Sequence, residues 1–338
     1  MKTYSISDQA RAIAMRSASA RLRTTLATLT DELSSGRVSD VAQRVNGNLR
    51  QVHHIEAKVA ALAQFRLNAA EAAGIAERMQ LALQTVQDAS HDLGLSLIAD
   101  YGGQPPPLDR ARGDSAAKTL QQAIETLSSD EAGASLFGGT ATDRKPLISS
   151  DTMLDHLTAA TAGATTAADI ATTVNAWFDA PPGAGGFLDL GYQGSIGQSR
   201  VTELGDGVTV QFATTAATPA VRDALRGIAM MALVSRGALA GDSVETARLM
   251  HSAGTMLVRN NDALTAERGR VGLLEQAIAR AQSANSAENA VFQKARTELL
   301  QADPYETATA ITEIETQIQS IYAVTARLSN LKLVNYLR

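Results

Sequence analysis

Residues 308–331 read ATAITEIETQIQSIYAVTARLSNL. In this run Ile311, Ile314, Ile318, Ile321, Val324, Leu328 and Leu331 follow one another at spacings of three and four. That spacing puts them on one apolar stripe of a helix. No Gly or Pro interrupts the run. An aliphatic stripe near a chain end needs a surface to dock on before it is ordered. The opening residues supply one: Ile13, Met15, Leu22, Leu26, Leu29 and Leu33 share a face broken by small and polar residues. The two stretches are expected to pair, with each other or with other copies, as a coiled coil.

Composition points the same way. Of 338 residues 45% are hydrophobic but only 4% aromatic, so Ala and Leu carry the apolar surface. Ala is the strongest helix former, and an aromatic-poor core suits thin helical bundles. The net charge of -5 offers no basic field to nucleic acid. With no Cys, disulfides and thiolate metal sites are excluded. Residues 1–20 carry Asp8, Arg11 and Arg16 and lack the apolar core of a signal peptide. No window reaches the length of a membrane span. The expectation is a cytoplasmic chain, or one exported without cleavage.

Working inward, Gly36 ends the first helix and Ser39 or Asp40 can cap the next. Val41 to Ala99 reads as one very long helix, weakened at Gly47 and Gly74 by roughly 1 kcal/mol each. Tyr101-Gly102-Gly103-Gln104-Pro105-Pro106-Pro107 breaks it, and a shorter helix over 114–128 turns Leu120, Ile124 and Leu127 inward. From Phe137 to about Ala224 the chain turns Gly- and Thr-rich. Thr165 to Phe178 predicts a helix, and Phe187–Leu190 and Val208–Phe212 predict strands. Gly205-Asp206-Gly207 marks a hairpin between Val201–Leu204 and the second strand. Helix returns over 219–237 and 243–301, and Asp303-Pro304 starts the last one. The fold expected is mainly α, elongated, with long helices from both ends bundled together and a small α+β domain inserted in the middle.

Catalytic signals are weak. His53, His54, His91, His156 and His251 form no His-Glu-x-x-His pair, and adjacent His53 and His54 point to different helix faces. Gly183-Ala184-Gly185-Gly186 lacks the lysine of a phosphate loop and reads as a turn. There is no Gly-x-Ser-x-Gly elbow. Glu245, Glu267 and Glu275, with arginines nearby, read as solvated ion pairs worth about 0–1 kcal/mol. No catalytic residue, cofactor or metal is expected.

Four stretches carry a family resemblance. They are Leu33-Ser34-Ser35-Gly36-Arg37-Val38-Ser39-Asp40, Ser135-Leu136-Phe137-Gly138-Gly139-Thr140-Ala141-Thr142-Asp143, Tyr192-Gln193-Gly194, and Tyr322 to Leu331 with Asn335-Tyr336-Leu337. In order and position the chain resembles the flagellin superfamily, and within it the hook-associated proteins that join the flagellar hook to the filament. Leu136-Phe137-Gly138-Gly139-Thr140 favours the junction proteins over filament flagellin, while Asp40-Val41-Ala42-Gln43 departs from both patterns.

The resemblance implies three parts: 1–36 with 303–338 as terminal coiled-coil helices of an inner core, 37–143 with 219–302 as a helical bundle domain, and 144–218 as a small α+β outer domain. The assembly interface expected comprises Leu22, Leu26, Leu29 and Leu33 together with Ile311, Ile314, Ile318, Ile321, Val324, Arg327, Leu328 and Leu331. The implied partners are further copies in a ring, flagellin, another hook-associated protein and a flagellar export chaperone, with no nucleic acid and no membrane. The implied place is the bacterial flagellum outside the cell, reached through the flagellar secretion channel without a cleavable signal peptide. Filament flagellin itself, a cytoplasmic helical scaffold and a secreted enzyme with its site in the insert remain the alternatives.

Overall fold

The structure is a computed structural model that describes residues 3–45, 47–101, 109–131 and 133–336. It is mainly α, with two short antiparallel hairpins among the described residues. The chain divides into two compact units, Met1–Ala61 with Ala287–Arg338, and Leu62–Ser286.

The first unit holds α1 (Thr3–Ser35), α2 (Val41–Arg44), the start of α3 (Arg50–Tyr101), the end of α8 (Ser243–Leu300) and α9 (Pro304–Tyr336). Gly36 stops α1: its φ of +67° is a left-handed turn that Gly adopts at no steric cost, and its N–H donates to Glu32 O at 2.8 Å. Asp40 Oδ1 accepts from Gln43 N at 3.0 Å and caps α2. Asp303 Oδ1 accepts from Tyr305 N at 2.8 Å and Glu306 N at 3.2 Å, capping α9 with Pro304 in its first turn.

The expected single helix over 41–99 is interrupted. It breaks after Arg44, and Gly47 takes a φ of +78°, so α3 begins only at Arg50. A residue held left-handed cannot continue an α-helix. The expected breaker at 102–107 lies outside the described residues.

The second unit contains the rest of α3 and α8, α4 (Asp109–Leu127), β1 (Asp130–Glu131), β2 (Ala134–Ser135), α5 (Ser150–Ala160), α6 (Ala167–Asp179), β3 (Arg200–Gly205), β4 (Val208–Phe212) and α7 (Pro219–Ala232). Leu120, Ile124 and Leu127 of α4 are buried, as their spacing predicts. The β3–β4 hairpin turns at Asp206-Gly207, and Asn285 Nδ2 holds Leu204 O at 2.6 Å.

Phe187–Leu190 is not a strand but part of a π-helical turn, Phe187–Gly191. The Asp189 carboxylate accepts from Gly183 N at 2.9 Å and Gly185 N at 2.8 Å, which curls the segment back onto the preceding loop. These amides hold its pKa below the ordinary carboxylate value. Phe187 thereby stacks on Phe178 with ring centroids 5.1 Å apart, and Trp177 packs edge-on to both.

α3 and α8 run antiparallel within this unit and are stitched by polar side chains. Gln80 Nε2 donates to Arg268 O at 2.7 Å, Arg268 Nη1 to Gln87 Oε1 at 3.0 Å, and Gln87 Nε2 to Asn261 Oδ1 at 2.9 Å. Near Gly94 and Gly254 the backbones touch: a Cβ on Gly254 would lie 2.9 Å from Gly94 O and 3.0 Å from Leu97 Cβ.

Gly254→Ala is therefore expected to destabilise the chain by about 1–3 kcal/mol through overpacking, more than the ~1 kcal/mol that Ala gains in helix propensity. Gly74→Ala meets no atom within 4 Å, and is expected to stabilise by up to ~1 kcal/mol. Urea unfolding followed by circular dichroism reads both, and a stabilised Gly254→Ala would show that the contact yields freely.

Candidate assembly interface

α1 and α9 pair antiparallel, and a backbone bridge closes one end of the pair. Val38 N donates to Leu300 O, and Ala302 N to Gly36 O, both at 3.0 Å, with Arg37 opposite Gln301. Leu300, Ala302 and Thr307 are buried at this corner. Glu32 is buried beside them, its carboxylate accepting from Ser39 N at 2.7 Å. A buried acid that receives a backbone N–H is satisfied rather than stranded.

Along the pair, Ile311, Ile314, Ile318 and Ile321 of α9 are half-buried, as are Met15, Leu22, Leu26 and Leu29 of α1. Ile13 and Leu33, expected on the same face of α1, are 66% and 42% exposed. Val324 is 45% exposed and Arg327 is exposed as well. At 100° per residue Ile13 falls on the far side of α1 from Leu22, Leu26 and Leu29, whereas Leu33 keeps their phase and is left partly open near the end of the helix. The side chains of Leu328 and Leu331 lie outside the described residues.

An open groove of about 460 Å³ runs along the seam, between Ala18 and Leu22 on one side and Thr316, Ser320 and Ile321 on the other. The pair thus offers an aliphatic strip with a recess in it.

Arg23 and Tyr322 clasp the two helices, a contact that spacing alone did not reveal. Arg23 Nη2 donates to the Tyr322 hydroxyl, and its guanidinium lies 5.7 Å from the ring centroid. The Arg23 hydrogen bond holds the Tyr322 phenol below its ordinary pKa of 10.0.

Two of the resemblance segments meet in the second unit. Ser195 N donates to Gly138 O at 2.9 Å, Thr140 N to Ser195 Oγ at 2.7 Å, and Gln193 N to Pro146 O at 2.8 Å. Gly194 sits where a Cβ would strike the Tyr192 ring and Gly138 O. Phe-Gly-Gly-Thr and Tyr-Gln-Gly therefore form one knot.

The structure assigns other roles to residues weighed for catalysis. The Gly183–Gly186 amides are engaged by Asp189. Glu267 is not solvated: it is 3% exposed and bonded to Thr214 Oγ1 at 2.5 Å, with Arg270 at its other oxygen. Among the described residues no cluster of three His, Asp or Glu is placed to hold a metal ion, and no helix is long and apolar enough to cross a membrane.

Arg23→Gln is expected to raise the Tyr322 phenol toward its ordinary value. Because the folded pKa is the lower one, the pairing gains stability as pH rises through it and keeps that gain above the unfolded value. The difference in 295 nm absorbance between each chain and its Tyr322→Phe counterpart reads the titration. An unmoved curve would remove Arg23 as the cause.

Residues 256–337 match the family model of the bacterial flagellin C-terminal helical region. No curated protein sequence matches the chain. A putative flagellar hook-associated protein from Vibrio parahaemolyticus is similar in structure, with a TM-score of 0.51 at 14% identity over 73% of this chain and 95% of that one. FlgL of Bacillus cereus aligns at a TM-score of 0.49 and 14% identity, over 72% and 98% of the two chains. Residues 256–337 are thus similar to the flagellin C-terminal helical region, and the mainly α fold is similar to that of the Vibrio hook-associated protein.

Proposed function

We propose that this chain is a structural component of the bacterial flagellum, an adaptor that joins the hook, through another hook-associated protein, to the flagellin filament. The observation that carries this reading is the α1–α9 pair. Two helices of 33 residues each bury their aliphatic stripes only by half and leave Ile13, Leu33, Tyr322 and Val324 in water. An apolar strip of that length is a surface built for further chains. The flagellin match over 256–337 includes the whole of α9, and the fold is shared with a putative hook-associated protein.

In this reading Leu22, Leu26, Leu29, Leu33 and the α9 stripe from Ile311 to Leu331 form the assembly surface. Its work is binding rather than catalysis. Copies form a ring; the flagellar export chaperone covers α9 before assembly; the chain leaves through the flagellar channel and acts outside the cell. Ordering a long helix costs roughly 1–2 kcal/mol per residue in backbone entropy, so the pair gains most of its stability where several copies meet.

Ile321→Asp places an unpaired charge at the seam, at a cost of several kcal/mol once neighbours exclude water. It is expected to abolish motility while near-ultraviolet dichroism from Trp177 stays unchanged. Wild-type motility in that variant would show that the seam is not the assembly surface.

An adaptor has two unlike end surfaces, whereas a filament subunit complements itself and propagates. The purified chain is therefore expected to remain monomeric or form small oligomers in salting-out sulfate, which strengthens apolar burial. Long filaments seen by electron microscopy would assign it to flagellin instead.

A further inference from the structure

We propose that a small recess at the α8–α9 corner is a carboxylate site, filled by an acidic side chain of a partner protein. The recess lies wholly within the first unit, shares no residue with the groove of the aliphatic seam, and stands independently of the flagellar role proposed above.

The recess holds about 200 Å³. Arg37 and Gln301 of the corner line it together with Gln293, Arg296 and Thr297 of α8, and no acid does. Its walls are fixed by backbone. The bonds from Val38 N to Leu300 O and from Ala302 N to Gly36 O set Arg37 opposite Gln301. Gln293, Arg296 and Thr297 step by three and four and so share one face of α8. A site shaped before its ligand arrives loses less to ordering on binding.

The positive charge in it is uncompensated. Among the described residues neither the Arg37 nor the Arg296 guanidinium has an ion-pair or hydrogen-bond partner. The Arg296 Nε is closed off from water as well. A charged donor that has lost water and gained no acceptor costs free energy until an acceptor reaches it. The acids nearest in sequence to the two arginines are committed elsewhere. Asp40 caps α2, Glu32 accepts from Ser39 N, and Asp303 caps α9. Glu298 stands 3.7 Å from Lys294 Nζ.

The lining selects the ligand. A guanidinium presents a planar set of N–H donors that matches the two oxygens of a carboxylate. The side-chain amides of Gln293 and Gln301, also without partners among the described residues, add further N–H donors. Thr297 adds none, because its hydroxyl donates to Gln293 O at 2.9 Å. The volume lies below the ~300–1,000 Å³ of small-molecule pockets. It takes the end of one acidic side chain.

A side chain carried by a protein is favoured over a free anion. Surface ion pairs contribute only ~0–1 kcal/mol, so two guanidiniums hold a free carboxylate weakly. A carboxylate on a docked surface meets them at high effective concentration. Tyr305 lies four residues past Gln301, within about 14 Å along the chain, and is 84% exposed. An exposed Tyr close to Arg is the composition of binding hot spots.

Side-chain N–H resonances of the isotope-labelled whole chain test the site. The probes are acetyl-Gly-Glu-Gly-amide, its Gln counterpart, and sodium acetate, all at low salt. The Glu peptide is expected to shift the Arg296 Nε–H resonance saturably, that resonance being assigned by its loss in Arg296→Lys. The Gln peptide is expected to leave it in place, and acetate to need about tenfold more for the same shift. Arg37→Gln is expected to weaken Glu-peptide binding about tenfold, through the loss of a charge-assisted hydrogen bond. Arg37→Lys, which keeps the charge but not the fork, gives a second reading if the first variant disturbs the corner. Arg66→Gln removes an exposed arginine of the second unit and is expected to change nothing. The site is overturned if the Glu peptide gives no saturable shift or the Gln peptide an equal one. It is overturned equally if Arg66→Gln weakens binding as much as Arg37→Gln. Acetate binding as tightly as the Glu peptide would assign the recess to a free anion and overturn the protein partner.

Discussion

A pair of helices can bury one stripe on each partner and no more. That limit governs the α1–α9 unit. Its isoleucines and leucines stop at half-burial, its flanking aliphatics stay in water, and the Arg23–Tyr322 clasp sits exposed on the rim. The unit is tied down at its Gly36–Ala302 end by backbone bonds and buried polar groups, while the rest of its length is held by a strip that wants another layer.

The second unit meets the same limit differently. Low aromatic content lets helices approach closely, to the point of backbone contact at Gly94 and Gly254. Rings are concentrated where Trp177, Phe178 and Phe187 fill the angle between α6 and the π-turn. Where α3 meets α8, glutamines and Arg268 replace some of the apolar contact. Hydrogen bonds of fixed geometry set register more sharply than sliding aliphatic surfaces do.

Periodic features are legible in the sequence. The α9 stripe, the inward face of α4, the Asp206-Gly207 hairpin and the Asp303 cap all follow from spacing or from one residue's backbone preference. Features set by partners distant in sequence are not. Phe187–Leu190 alternates like a strand, but Asp189 found amides in the preceding loop. Glu267 looks like one more surface acid until Thr214 covers it from 53 residues away. Gly47 reads as a weak point in a long helix, yet its left-handed φ ends the helix outright. At the interface, spacing selects the aliphatics of both helices. Helical phase already turns Ile13 to the far side of α1 from Leu22, while Leu33 keeps the phase of the seam and is still 42% exposed in the single chain.

The short backbone bridge between residues 36–38 and 300–302 has a mechanical consequence. The α8–α9 junction is only the three residues Gln301–Asp303, with nothing but their backbone to stiffen it. Two hydrogen bonds, pointing in opposite directions across the same gap, tie that link at two points, so that it cannot swivel about one. Force pulling along α9 loads both bonds together in shear instead of unzipping them one after the other. The link thereby resists yielding through its backbone alone, independent of which side chains surround it.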